Sequence, residues 1–121
     1  MTVLAHATRQ NADSNIELRA ERRSHFLLVT IQGEASFDQA EVLSAQLLHV
    51  PLDGATLVVF DLAGLTFLSS LAIGALISYR RGMARRGVKV RLANVQPPVW
   101  MALESAGLSR LFERIDLEEP T

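Results

Sequence analysis

The chain has 121 residues, 49% of them hydrophobic, which is enough for one continuous core and fits a single domain. Its 12 basic and 13 acidic residues leave a formal charge of -1, so no global field favours nucleic acid and a basic patch has to be local to matter. The absence of cysteine excludes disulfides, thiolate metal sites and a cysteine nucleophile, and fits a reducing compartment.

The first residues, MTVLAHATRQNADSN, lack the basic start and long apolar stretch of a secretory signal, and no apolar run is long enough to span a bilayer. A cytoplasmic protein without membrane attachment is the expectation. Residues 1–15 are small and polar without a period, which predicts a flexible tail or a frayed edge strand. The alternation Ile16-Glu17-Leu18-Arg19 predicts an edge strand, and after the charged turn Glu21-Arg22-Arg23 a stronger strand runs from His25 to Gln32, punctuated by Gly33. Ser36 or Asp38 is then available as an N-cap for a helix in which Val42, Leu43, Leu47 and Leu48 are spaced for one apolar face, ending before Pro51. The run Leu57-Val58-Val59-Phe60-Asp61 is apolar nearly throughout, as in a central strand covered on both faces.

Phe67 and Leu68 are expected to anchor a short loop to the core, after which a second helix runs from Ser70 to about Arg86. Leu71, Ile73, Leu76, Ile77 and Met83 are spaced for burial in it, and Gly87 is placed as its C-cap. Arg80, Arg81, Arg85 and Arg86 complement the negative end of that helix. Val88 to Ala93 alternates like a strand with one wetter face, and Asn94 opens a turn. Pro97-Pro98 can start a third helix, with Val99 to Ser105 as its body, Trp100 packing early in it and Gly107 stopping it. Residues 111–115 read as a short strand or terminal helix, and 116–121 as an acidic tail. The domain is therefore drawn as 16–115. Its element order predicts an α/β layer, a mixed sheet of four to five strands with helices mainly on one face, whose binding site lies at the C-terminal ends of the parallel strands.

No phosphate-binding glycine motif, zinc helix or nucleophile elbow occurs. His6, His25 and His49 lie far apart without carboxylates at ligand spacing, so neither a catalytic residue, a metal nor a cofactor is expected, and the chain does not read as an enzyme. What remains is the segment from Asp61 to Leu76, in which two serines stand at the start of an almost wholly apolar helix. A serine there caps free N–H groups. The same N–H groups and the positive helix end also favour a phosphate, so a phosphorylated Ser70 would keep its helix while reversing the local charge.

The run Asp61-Leu62-Ala63-Gly64-Leu65-Thr66-Phe67-Leu68-Ser69-Ser70-Leu71-Ala72-Ile73-Gly74 resembles the signature of STAS domains of bacterial anti-anti-sigma factors, a strand ending in Asp followed by Leu-x-x-Leu-x-Phe and a Ser-containing helix start. Ile31-Gln32-Gly33-Glu34 and Leu92 to Leu108 agree in order and spacing, so the resemblance covers roughly 16–115. It implies the STAS fold and a non-enzymatic antagonist in bacterial transcription control that binds an anti-sigma factor, a histidine-kinase-like serine kinase, and is released when a serine is phosphorylated. By position Ser70 is the implied phosphoacceptor, and Glu34, Ser36, Ser69, Ser70, Leu71, Ile73 and Gly74 are the implied partner-binding residues. Ser69 and Ser36 stand where the family often has Asp, and Leu71-Ala72 where it has Ser-Gly. Two alternatives stay open. One keeps the fold as a scaffold or accessory subunit, with homodimers as an option; the other is a small-ligand binder in which Lys89, Arg91 or the arginine cluster holds an anion.

Overall fold

The computed structural model describes residues 2–8, as backbone, and 16–117. Alternation in β2 (Ile16–Arg22) turns Ile16, Leu18 and Ala20 inward, and the strand pairs antiparallel with β3 (Leu27–Ala35). Its outer edge is taken by β1 (Thr2–Thr8), also antiparallel. The chain then crosses through α1 (Ala40–His49) to β4 (Leu57–Asp61), passes by a short loop to β5 (Leu65–Leu68), and crosses again through α2 (Ser70–Arg85) to β6 (Lys89–Ala93). Finally α3 (Pro97–Ser105) and a 3-10 turn (Ser109–Leu111) lead to β7 (Glu113–Ile115). Strand order is β1-β2-β3-β4-β6-β7, parallel from β3 onward, with β5 paired to β3 off this path.

The α/β fold with its helices on one face is as expected, but among the described residues the sheet has seven strands rather than four to five. One addition is β1, which falls within the expected tail 1–15. Residues 9–15 lie outside the described residues. The other is β5, expected as a loop. Gly33 explains it. At φ 105 it does not end the strand but redirects it, so that β3 pairs with β4 through Leu27–Thr30 and with β5 through Gly33–Ala35. Thr66 is the residue skipped in that second register, and its Oγ1 donates to Gly33 O at 3.2 Å.

All three helices feed one core, with Leu43 and Leu47 from α1, Ile73, Leu76, Tyr79 and Met83 from α2, and Val99 and Leu103 from α3 packed over Val29, Ile31, Val58, Phe60 and Leu92. On the opposite face of the sheet the buried cluster among the described residues is Leu28, Val59 and Ala93, flanked by Phe26, Leu57, Ile115 and Leu117. These two clusters are why β4 reads as continuously apolar. Of the expected acidic tail, Asp116 is exposed while Leu117 packs on that second cluster, and 118–121 lie outside the described residues.

Three local expectations are corrected. Neither Ser36 nor Asp38 caps α1: Ser36 Oγ donates to Asp38 Oδ1 at 2.7 Å, and a 3-10 turn (Phe37–Gln39) precedes the helix. Leu48 is exposed, so the buried stripe of α1 is narrower than its apolar spacing suggests. Phe67 does not anchor to the core; only Leu68 does, because consecutive strand residues face opposite ways.

Candidate partner-binding site

The site is built where β3 and β5 end side by side. Glu34 lies opposite Phe67 and Ala35 opposite Leu68, and the ladder is carried one step further by Ser69 N, which donates to Ala35 O at 2.9 Å. That bond fixes Ser69 in an extended conformation at the N-cap of α2, where its Oγ accepts from Ala72 N at 3.2 Å. Ser69 O then accepts from Ile73 N, the first helical bond. Two of the helix's initial N–H groups are thus satisfied, while those of Ser70 and Leu71 remain at the open end of the helix dipole, with no partner among the described residues.

The two serines therefore differ in kind. Ser69 is 8% exposed and committed to capping, whereas Ser70, the first helical residue, is exposed. Its chain neighbour Leu71 is 50% exposed, Phe67 at the end of β5 50%, and Phe37, which shares a cleft with Leu71, 66%. A cleft of about 550 Å³ runs from this corner between α1 and α2, with Phe37, Leu71, Gly74 and Ala75 on its apolar walls and Asp38 and Glu41 on its rim. Gly74 adds to the opening, since a Cβ there would meet nothing within 4 Å.

Of the residues the sequence nominated, Glu34, Ser70, Leu71 and Gly74 are exposed at this corner and Ser36 is half-buried beside it. Ile73 is not a surface residue: at 4% exposure it belongs to the core. Ser69 also turns inward, as the cap. Sequence reasoning missed Phe37 and Phe67. Phe37 is signalled as an aromatic in a turn; Phe67 is not, because strict alternation from the buried Leu65 would turn it inward, and the residue skipped at Thr66 shifts the phase so that Thr66 and Phe67 both face outward.

Asp61 links the neighbouring loops. Its Oδ1 accepts from Ala63 N at 3.1 Å and from Asn94 Nδ2 at 2.9 Å, and Gln96 Nε2 donates to Ala63 O. The β4–β5 and β6–α3 loops are thereby tied together behind the serine corner, which gives the strand-ending Asp of the motif a positioning role. Among the described residues no group of three or more His, Cys, Asp or Glu stands close enough to hold a metal ion. His25 and His49 are exposed.

The family model described as STAS domain matches residues 17–120. Among solved structures, the chain is similar to an anti-sigma factor antagonist from Mycobacterium paratuberculosis, with TM-score 0.74, 21% identity and coverage of 93% of this chain and 92% of that one. It is similar to the anti-sigma factor antagonist SpoIIAA in its unphosphorylated form, with TM-score 0.68, 18% identity and coverage of 84% and 89%. It also resembles part of the murine anion transporter Solute Carrier 26 family member A9, with TM-score 0.64 and 19% identity over 85% of this chain but 18% of the transporter. No curated protein matches the sequence.

Proposed function

The chain belongs to the STAS domain family, and on that premise we propose that it is an anti-sigma factor antagonist, a protein that performs no chemistry itself and acts by binding an anti-sigma factor with serine kinase activity in the cytoplasm. The observation that carries this reading is the division of labour at α2: Ser69 caps and is buried, while Ser70 offers an exposed hydroxyl among exposed apolar side chains. Unphosphorylated, the corner offers a partner Leu71, Phe67 and Phe37 around that hydroxyl. The kinase moves the γ-phosphoryl of ATP to Ser70 Oγ, breaking its bond to the β,γ-bridging oxygen and releasing ADP, with the hydroxyl proton passing to the kinase.

The resulting phosphate carries a charge of about -1.5 to -2. The helix dipole and the N–H groups of Ser70 and Leu71 stabilise it, so α2 stays folded. What changes is the surface, since burying a dianion under a partner costs far more than burying a hydroxyl. Glu34, Asp38 and Glu41 already make this corner acidic, and the phosphate deepens that field.

Incubation with ATP and the histidine-kinase-like anti-sigma factors of the source organism, followed by mass spectrometry, tests the reading. Phosphate on Ser70, absent from Ser70→Ala and releasing the complex, is the expected result. A kinase-independent complex would favour a second reading, a permanent scaffold or accessory subunit, which the likeness to part of an anion transporter supports.

A further inference from the structure

Eight of the chain's 12 basic residues, and only two of its 13 acidic ones, fall between 80 and 115. In the folded chain four of these cations, Arg80 on α2, Lys89 and Arg91 on β6 and Arg110 in the 3-10 turn, line one open cleft of about 490 Å³ with a single carboxylate, Glu113. The cleft is far from the serine corner, because Lys89 lies opposite Leu57 at the start of β4, whereas Ser70 follows the opposite end of β5.

A helix dipole draws basic side chains to its C-terminus, which accounts for Arg85 in the last turn. It does not account for Lys89, Arg91 and Arg110, which come from other elements, nor for Arg80, more than a turn upstream. Two carbonyls of the helix end are already taken, since the N–H groups of Arg86 and Val88 donate to Met83 O and that of Gly87 to Ala84 O at 2.9–3.0 Å. Glu113 Oε1 holds Arg91 Nε at 2.8 Å and is itself largely exposed, so among the described residues most of the positive charge around the cleft has no counter-charge there.

Geometry supplies the room. Strand β7 pairs with β6 only from Arg91 to Ala93, leaving a notch beside Lys89 and Val90 that is walled by Val90 and Leu111. Its volume lies within the range of small-molecule sites, roughly 300–1,000 Å³. Three guanidinium groups and an ammonium around an apolar wall suit a tetrahedral oxyanion with several acceptor oxygens better than a carboxylate.

We propose that this cleft binds a small phosphate-bearing organic anion, its phosphoryl oxygens held by Arg80, Lys89, Arg110 and the terminal nitrogens of Arg91, its organic part against Val90 and Leu111. Inorganic pyrophosphate is the probe. Titrated into isotope-labelled protein, against sodium chloride at equal ionic strength, it shifts the backbone amides of residues 88–91 and 110–113 along saturating curves. The double variant Arg80→Gln, Arg110→Gln weakens binding about tenfold or more, and its own amide spectrum reports that it is folded. Glu113→Gln, which removes the competing carboxylate, tightens binding. Shifts that chloride reproduces, that do not saturate, or that the variants leave unchanged overturn the proposal. So does co-sedimentation with phosphatidylglycerol vesicles by a protein that pyrophosphate does not shift, which would assign the patch to a membrane surface.

Discussion

Ser69 and Ser70 are adjacent, chemically identical and physically opposite. The hydroxyl of Ser69 satisfies an N–H that would otherwise be orphaned inside the fold, and that of Ser70 satisfies nothing the fold needs. Ser69→Ala should therefore lower stability by about 1 kcal/mol, within the usual range for losing an N-cap, seen as a fall of a few degrees in Tm, while Ser70→Ala leaves Tm unchanged. Equal losses for both would mean that the capping assignment is wrong. Tyr79, the chain's single tyrosine, offers a second test at this scale. Packed against Phe60 with ring centroids 5.5 Å apart, it is pushed by burial up to about 12, with the Arg86 guanidinium pulling the other way. In the unfolded chain the phenol ionises near its ordinary value of about 10. Between those values the unfolded chain has given up a proton that the native chain keeps, so the native state loses stability as pH rises through this window, on the order of 2 kcal/mol in all, and keeps the full contribution below it. Tyrosinate absorbance followed against pH should show a midpoint near the raised value in the folded protein; a midpoint at the ordinary one would place the ring in water.

Helix α2 shows what an apolar helix can hide from a sequence reading. Leu71 and Ile73 both fit a burial period, yet one stands half out of the surface and the other is in the core. An apolar helix with a wide hydrophobic face does not reveal which flank the neighbouring helix leaves open, and here α1 leaves a cleft along Leu71, Gly74 and Ala75. Ile73→Ala should destabilise by about 2–5 kcal/mol, as large-to-small core changes do, measured by denaturant unfolding. Leu71→Ala should leave stability within about 0.5 kcal/mol, as surface changes do, while weakening the complex with the proposed anti-sigma partner in a binding titration. The reverse pattern would move the docking surface away from α2. The ends of α2 were legible, because Ser69 and Gly87 are strong local signals that tertiary structure did not override. The start of α1 was not: Ser36 and Asp38 satisfy each other, and the chain enters through a 3-10 turn. For β5, a glycine read as a stop proved to be a bend that supplies a new pairing edge, information held in the partner strand rather than in Leu65–Leu68 themselves.

Across the whole molecule, the order of strands and helices from 16 to 115 was readable because each element carries its own period and the crossovers are short. Sheet membership at the edges was not, since an edge strand needs only one apolar face or none. Strand β1 is the clearest case: its residues show no strong alternation, but its backbone pairs with β2 over most of its length, from Thr2 opposite Arg22 to Thr8 opposite Glu17. What it contributes is therefore main-chain hydrogen bonding that closes the edge of β2, whose inner side chains Ile16, Leu18 and Ala20 are already buried in the core. Deleting residues 1–8 should leave that core intact and expose the N–H and C=O groups of β2 to pairing with a second copy. Sedimentation velocity should then show a concentration-dependent dimer that the full chain does not form under the same conditions, with Tm falling modestly at low protein concentration and recovering as the dimer fills. A truncated chain that stays monomeric with an unchanged Tm would mean that β1 is dispensable and that β2 protects its own edge through the outward charges Glu17, Arg19 and Glu21, the usual defence of an exposed strand.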